Sequence, residues 1–291
     1  MKKRRHAFLL TLAFLTPLIA LAAPMQMMRF HCEKDTTEIN TLLKKGFDSG
    51  ERDPNALVSL YARQLLGTPY VAHTLEGDTE MLTINIHQLD CTTFVETLYA
   101  LTRTTLERRY SWRDYASNLE NLRYRRGHID GYASRLHYIS DWVMDNKSRG
   151  NIEEVTADLP GSKTMVKTID FMTRHRDKYP ALSDSATWAK IRNYEIGFRS
   201  HKYAYVRKSL MNNKEVKKAL LEGDIVGLVT KIDGLDVSHM GIVVKDEKGE
   251  LFLLDASSAD GKVQIEKENM MRYLEKNKNY IGVRVFRIRK N

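Results

Sequence analysis

Apolar and polar positions along the chain change their period once, close to Gly223. Before this residue, apolar side chains recur at intervals of three and four, which predicts amphipathic helices. After it they alternate or form short runs bounded by turn residues, which predicts strands. The predicted strands are Ile225–Thr230, Val237–Lys245, 251–255, 263–265 and 281–288. Helices followed by antiparallel strands predict the α+β fold class.

Acidic residues mark the starts of two helices. Asp53 precedes Pro54, a combination typical of an N-cap and a first helical turn, and Gly67 ends this helix. Asp90 caps a second helix that begins at Cys91. Its buried face is predicted from four residues at helical spacing: Phe94, Val95, Leu98 and Leu101.

The first 22 residues have the pattern of a secretory signal peptide. Basic residues at 2–5 precede an uncharged apolar run at 7–21, and 20–22 is a small-x-small cleavage sequence. The run is shorter than the ~20 residues of a spanning helix and contains Pro17. We therefore expect cleavage, a periplasmic location and no membrane-spanning segment in the mature chain. A membrane anchor is the alternative.

Removal of this segment changes the charge. The full chain has 46 Lys and Arg, of which four lie in the signal, so 42 remain against 37 Asp and Glu. The resulting net charge of +5 is mild, and the chain has no basic stripe with interleaved aromatic residues. A nucleic-acid partner is therefore not expected. Two cysteines also exclude a disulfide-built scaffold and a multi-cysteine zinc site.

Cys91 is a candidate nucleophile because it begins a helix. Unpaired N–H groups at a helix start favour negative charge, and the thiolate is the reactive form of cysteine. The alternative is a disulfide with Cys32, which an oxidising periplasm would permit.

His239 and Asp255 are candidates for the base and for the group that orients it. His239 lies within an apolar predicted strand, and Asp255 ends the next one. A turn centred on Glu247 would place the two side chains opposite each other on one face. A shift of half a residue would separate them onto opposite faces, and a hydrogen-bonded core histidine is the alternative.

Several segments together resemble the NlpC/P60 superfamily of cysteine peptidases, and in detail its DUF1460 branch. The resemblance covers about 50–290 and rests on the segments 66–70 (Leu-Gly-Thr-Pro-Tyr), 88–96, 134–138, 223–226, 235–242 and 255–258. It implies a papain-like α+β fold in which N-terminal helices pack on a C-terminal antiparallel sheet. It also implies an N-acetylmuramoyl-L-alanine amidase acting on small peptidoglycan fragments that end in 1,6-anhydro-N-acetylmuramic acid.

The same resemblance divides the chain. We expect a signal peptide at 1–22, an N-terminal extension at 23–49 and a catalytic domain at 50–291. A large, mostly helical insertion at about 125–215 would separate Cys91 from His239. No metal or organic cofactor is expected, the partners are muropeptides, and the chain is expected to be a monomer.

The catalytic set implied is Cys91, His239 and Asp255. Asp255 stands where the superfamily commonly has His, Asn or Gln. Tyr70 is a candidate for holding the oxyanion, or else a packed aromatic residue.

Four further residues are candidates for substrate binding. Arg135 would pair with a stem carboxylate, or form an ion pair within the protein. Asp236 would bind the sugar or the stem amine, or serve a turn. Ser257 and Ser258 would contact substrate, or satisfy a turn.

The sequence is also compatible with other functions. An endopeptidase of the same fold would cut between D-Glu and diaminopimelate. A catalytically silent wall-binding protein and, more weakly, a lipid acyltransferase are further alternatives.

Overall fold

The structure, a computed structural model, describes residues 27–290. The predicted signal peptide lies outside the described residues. Among the residues that are described, no helix combines the length and the apolar composition needed to cross a membrane.

Helices dominate the first half of the described chain and strands the second. The helices are α1 (Asp35–Asp48), α2 (Pro54–Gln64), α3 (Cys91–Leu106), α4 (Trp112–Arg123), α5 (Ile139–Ser148), α6 (Phe171–Arg174), α7 (Ser185–Ile196), α8 (Lys214–Ala219) and α9 (Met270–Lys276). The strands are β1 (Met28–Phe30), β2 (Leu82–Ile84), β3 (Ile152–Glu154), β4 (Lys163–Lys167), β5 (His201–Arg207), β6 (Ile225–Thr230), β7 (Val237–Lys245), β8 (Leu251–Ser257), β9 (Lys262–Asn269) and β10 (Tyr280–Ile288).

Both predicted helix starts are confirmed, and side-chain hydrogen bonds explain them. Asp53 Oδ1 accepts from the Ala56 N–H at 3.0 Å. Asp90 and Thr93 form a capping box, in which each side chain bonds the backbone N–H of the other. These local bonds satisfy N–H groups that have no partner within a helix.

The main sheet has the order β4-β5-β10-β6-β7-β8-β9, and every pair of neighbours is antiparallel. The prediction of helices combined with an antiparallel sheet is thus confirmed at this level. The prediction that 125–215 is mostly helical was incomplete, because this segment also supplies β3, β4 and β5. β3 and β5 both pair with β10. β4 and β5 are partly exposed, so they lack the apolar run of a buried strand.

Each face of the sheet is covered by a hydrophobic cluster. On one face, α3 packs against β7 and β8, and Phe94 and Leu98 join Ile242 and Leu254 in the core. On the other, residues of α8 and α9 pack with Val243 and other strand residues. Because α3 is fixed against β7, the start of this helix lies beside that strand.

Candidate active site

The structure brings Cys91, His239 and Asp255 together. Cys91 is the first residue of α3, and its thiol lies beside the His239 side chain on β7, close enough for the charge of the sulfur to act on the ring. His239 Nε2 forms a short hydrogen bond with Asp255 Oδ2, in which the carboxylate is the acceptor. This leaves Nδ1 as the ring nitrogen for the sulfur. Cys32 and Cys91 are both free, so the disulfide considered above is not formed.

The hairpin that carries His239 and Asp255 is centred one residue later than predicted. Ile242 pairs with Leu254 and Lys245 with Leu251, which places the centre at Lys248 rather than Glu247. Gly249 has a φ of 76° and lies inside the loop, a conformation that favours glycine there. A whole-residue shift leaves His239 and Asp255 on one face, so the two side chains still meet, on a diagonal.

His239 carries a proton in this environment. Burial of the ring opposes its charge, but the negative charge of Cys91 and the hydrogen bond to Asp255 outweigh that effect. Together they raise the pKa of His239 to about 10. An imidazolium beside a thiolate is the charge state that nucleophilic cysteine chemistry requires.

Tyr70 is held close to Cys91 by backbone hydrogen bonds. Its N–H donates to Gly261 O at 2.8 Å, and the flanking Val71 N–H donates to Leu89 O at 3.1 Å. Partial burial, followed by the negative charges of Cys91 and Asp90, raises the pKa of Tyr70. The phenol therefore keeps its proton at neutral pH and remains a hydrogen-bond donor beside the sulfur.

A cavity of about 460 Å³ opens next to the imidazole. It is lined by His239, by the loop that follows β8 and by residues around α9, including Ser257, Ser258, Glu266, Tyr273, Lys276, Lys278 and Tyr280. Ser258 is exposed, whereas Ser257 is buried and exchanges hydrogen bonds of 3.3 Å with Asp260. A volume of this size is typical of small-molecule sites.

Comparison with known proteins shows the family to which this chain belongs. A family model described as N-acetylmuramoyl-L-alanine amidase-like matches residues 60–283. The chain belongs to the N-acetylmuramoyl-L-alanine amidase-like family. No curated protein matches the chain.

Solved structures agree with this assignment. An N-acetylmuramoyl-L-alanine amidase from Bacteroides uniformis is 36% identical, with a TM-score of 0.77, over 81% of this chain and 99% of that one. A Bacteroides fragilis protein named a candidate xylanase is 38% identical, with a TM-score of 0.71, over 78% of this chain and 99% of that one. A DUF1460 protein from Legionella pneumophila, 19% identical with a TM-score of 0.67 over 88% and 95% of the two chains, supports the fold only.

Three residues that line the cavity beside His239 were not predicted from the sequence. The rings of Tyr273 and Tyr280 stack with centroids 6.3 Å apart, and burial raises the pKa of both phenols. The pKa of Glu266 is raised by burial and then by the negative charge of Asp255. Nothing in the sequence distinguishes these three as cavity residues. Aromatic residues such as Tyr273 and Tyr280 are explained equally well by packing in the core.

Two predicted substrate-binding residues already have partners within the protein. Arg135 is 7% exposed and contacts Glu76 at 3.0 Å and Glu80 at 3.2 Å. Asp236 is completely buried, and its Oδ2 accepts from the Ser140 N–H at 2.5 Å. Arg135 thus forms an internal ion pair, and Asp236 binds the start of α5.

Proposed function

We propose that this chain is a periplasmic cysteine amidase with a papain-like, NlpC/P60-type catalytic centre. Its substrate is the lactyl amide between N-acetylmuramic acid and L-Ala in peptidoglycan fragments, the sugar being in the 1,6-anhydro form. One observation carries the proposal: Cys91, at the start of α3, lies beside His239, whose Nε2 is bonded to the buried Asp255. The family assignment supplies the class of bond.

The first step is attack by the Cys91 thiolate on the lactyl carbonyl carbon. The new carbon–sulfur bond moves an electron pair onto the carbonyl oxygen. The Cys91 N–H, at the first position of α3, has no intrahelical acceptor and is one candidate donor to this oxyanion. The phenol of Tyr70 is the other.

Collapse of this intermediate breaks the carbon–nitrogen bond. His239 gives its proton to the leaving amine of L-Ala, and the muramoyl group remains as a thioester on Cys91. His239 then takes a proton from water, which attacks the thioester and restores the thiolate–imidazolium pair. Asp255, completely buried behind the ring, orients the imidazole throughout.

The cavity supports a fragment as the substrate. Its volume of about 460 Å³ suits a small ligand rather than an extended polymer. Lys276 and Lys278 line it and can receive the carboxylates of a stem peptide, while the stacked Tyr273 and Tyr280 offer an aromatic wall.

Digestion of purified muropeptides tests the bond that is cut. Anhydro- and reducing-end muropeptides are incubated side by side with the enzyme, and the products are identified by mass spectrometry. We expect intact stem peptide and free anhydro sugar, with the anhydro substrate consumed faster. Products cut between D-Glu and diaminopimelate would instead establish the endopeptidase, and equal rates would remove the anhydro preference.

Two cysteine variants test the mechanism in the same assay. Cys91→Ala should abolish turnover, whereas Cys32→Ala, the matched control at the other free thiol, should retain it. Activity in Cys91→Ala would reject the thiolate mechanism. Binding of muropeptide by the wild type without any turnover would favour the silent wall-binding protein.

The periplasmic location has its own test. Cell fractionation followed by N-terminal sequencing should find the protein in the periplasm with a mature chain that begins after Ala22. A cytoplasmic protein that retains residues 1–22 would contradict it.

A further inference from the structure

A second cluster of reactive side chains lies at the N-terminal end of the described chain. The ligand atoms of Cys32, Asp35 and His87, one from each residue, all lie within 4.8 Å of one another. His87 Nε2 is 3.5 Å from Asp35 Oδ1 and 3.7 Å from Glu38 Oε2. The mechanism proposed above uses none of these residues.

Strand pairing explains how distant parts of the sequence meet here. β1 and β2 are parallel, with Phe30 paired to Ile84, and the His31 N–H continues the ladder by donating to Ile84 O at 3.1 Å. Parallel strands leave the same edge of a sheet side by side, so Cys32 comes next to the loop that carries His87.

The turn from Cys32 to Asp35 is closed by two hydrogen bonds. The Asp35 N–H donates to Cys32 O at 3.2 Å, and the Cys32 N–H donates to Asp35 Oδ2 at 2.8 Å. The Oδ2 bond fixes the carboxylate and leaves Oδ1 for the cluster. The donor atoms are therefore positioned by the backbone before any ligand arrives.

Asp35 Oδ1 and His87 Nε2 are both buried atoms, and within residues 27–290 neither has a hydrogen-bond partner. Asp35 as a whole is completely buried. A buried carboxylate oxygen without a hydrogen-bond partner is costly, and a bound cation would remove that cost. This observation, separate from the clustering, favours the binding of a cation at this point.

The geometry points to a divalent transition-metal site, with Zn²⁺ as the natural occupant, formed by Cys32, Asp35 and His87. Thiolate, imidazole and carboxylate together suit Zn²⁺ rather than Mg²⁺ or Ca²⁺. Bonds of about 2.0–2.3 Å to a tetrahedral ion place donor atoms roughly 3.3–3.8 Å apart, and the 3.5 Å between Asp35 and His87 lies in this range. Glu38 or water completes the coordination.

An ion can reach the site from solvent, and a bound ion would link separate parts of the chain. A cavity of about 400 Å³, lined in part by Glu38 and His87, opens beside it. A bound ion would tie β1 and α1 to the loop that leads from His87 to Cys91. The ion thus stabilises the N-terminal segment against the body of the protein, because it binds the folded state alone.

Metal titration of a Cys91→Ser variant tests the site. This substitution removes the competing catalytic thiol and leaves Cys32 as the one cysteine in the sequence. The purified variant is freed of metal with a chelator and titrated with Co²⁺ in an absorbance assay, and then with Zn²⁺ in a calorimeter. We expect one equivalent of each ion to bind, with a sulfur-to-cobalt charge-transfer band and a higher melting temperature.

Three additional substitutions in this background assign the ligands. Cys32→Ser should abolish the charge-transfer band, and His87→Ala should weaken Zn²⁺ binding at least tenfold. His128→Ala, at an exposed histidine outside the cluster, is the control and should change the affinity less than twofold. Circular dichroism of each metal-free variant verifies that it is folded.

Three results would overturn the proposal. A Cys91→Ser protein that binds no Zn²⁺ would overturn the site. A charge-transfer band that survives Cys32→Ser, or equal losses from His87→Ala and His128→Ala, would also overturn it.

Discussion

Asp255 reaches His239 along a diagonal of the sheet, across Gly241. Ile242 pairs with Leu254, so continuing the register places Asp255 opposite Gly241 and not opposite His239. A Cβ atom at residue 241 would lie 2.7 Å from Leu254 O and 3.0 Å from the Asp255 Cβ. The absence of a side chain at 241 therefore lets the carboxylate lean towards the imidazole.

Gly241→Ala should consequently lower both stability and turnover. We expect a loss of about 1–3 kcal/mol in the free energy of unfolding, typical of overpacking, together with displacement of Asp255. Urea unfolding and a muropeptide assay measure the two effects. Gly249→Ala is the control in the same hairpin, since its cost is backbone strain at a φ of 76° with open space around the new Cβ. It should destabilise the protein but keep the turnover of the folded fraction, and equal losses of turnover would contradict this account.

Asp255→Asn should reduce kcat strongly while preserving the fold. The amide is nearly isosteric, but it removes the negative charge that helps to hold the proton on His239 and weakens control of the ring orientation. A comparable change in a serine protease costs about 10⁴-fold, and we expect a loss of 10²-fold or more here. Steady-state kinetics measures it, with Asp246→Asn, in the exposed turn between β7 and β8, as the control. A kcat for Asp255→Asn equal to that of the control would show that Asp255 does not orient His239.

The charge of His239 should depend on Cys91. NMR titration of the wild-type imidazole is expected to give a pKa near 10, and in Cys91→Ala this pKa should fall, because the thiolate makes the largest contribution that raises it. Wild-type activity should persist through neutral pH and decline as the pH approaches 10. An imidazole pKa that is the same in both proteins would contradict the ion pair.

The same shift predicts how stability changes with pH. The pKa in the folded state, about 10, lies above the unfolded value of about 6.5. The bound proton therefore stabilises the fold fully below pH 6.5, and this contribution is lost as the pH rises from 6.5 to 10. Denaturant unfolding at several pH values should show a narrower interval of decline in Cys91→Ala.

Tyr70→Phe tests the phenolic donor to the oxyanion. Loss of one such donor typically costs about 10²–10³-fold in kcat, and KM should change little because the bond strengthens in the transition state. Tyr280→Phe is the comparison, since the pKa of this second phenol is also raised by burial and by the charge of Cys91. A larger loss in kcat from Tyr280→Phe would assign the donor to Tyr280 instead.

A buried ion pair between α3, the helix that begins at Cys91, and α4 should contribute to the stability of the fold. Arg123 Nε donates to Glu96 Oε2 at 2.6 Å, and both side chains are buried. Arg123→Met would strand the Glu96 carboxylate, with an expected cost of about 3–5 kcal/mol in unfolding free energy. Arg63→Met, which breaks an exposed pair with Glu222, should cost less than about 1 kcal/mol. Similar values for both variants would contradict the role of burial.

Features encoded by neighbouring residues could be predicted from the sequence. Asp53 and Asp90 mark helix starts because their side chains bond N–H groups three residues later. The bounds of β6 and β7 follow from apolar runs that are buried in the sheet. The centre of the β7–β8 turn was wrong by one residue, because the sequence leaves open whether Gly249 lies inside the loop or after it.

Features set by long-range packing could not be predicted. Tyr273 and Tyr280 line the cavity because α9 and the start of β10 lie beside the loop that follows β8. Arg135 has a suitable charge for a stem carboxylate, but Glu76 and Glu80 lie about 60 residues away in sequence and already bind it. The sequence alone does not reveal which acidic residues fold around a given arginine.

The segment that carries Tyr70 also covers the outer edge of the last strand of the sheet. β9 is the terminal strand, and the Gly67 N–H and the Val263 N–H form bonds of 2.9 and 2.8 Å across to Val263 O and Thr68 O. An uncovered terminal strand offers its backbone to any other extended chain and invites aggregation. The hydrogen bonds that fix the Tyr70 segment beside the site thus also protect the edge of β9 from pairing with another protein molecule. Mutations that loosen this turn are therefore expected to reduce solubility as well as catalysis.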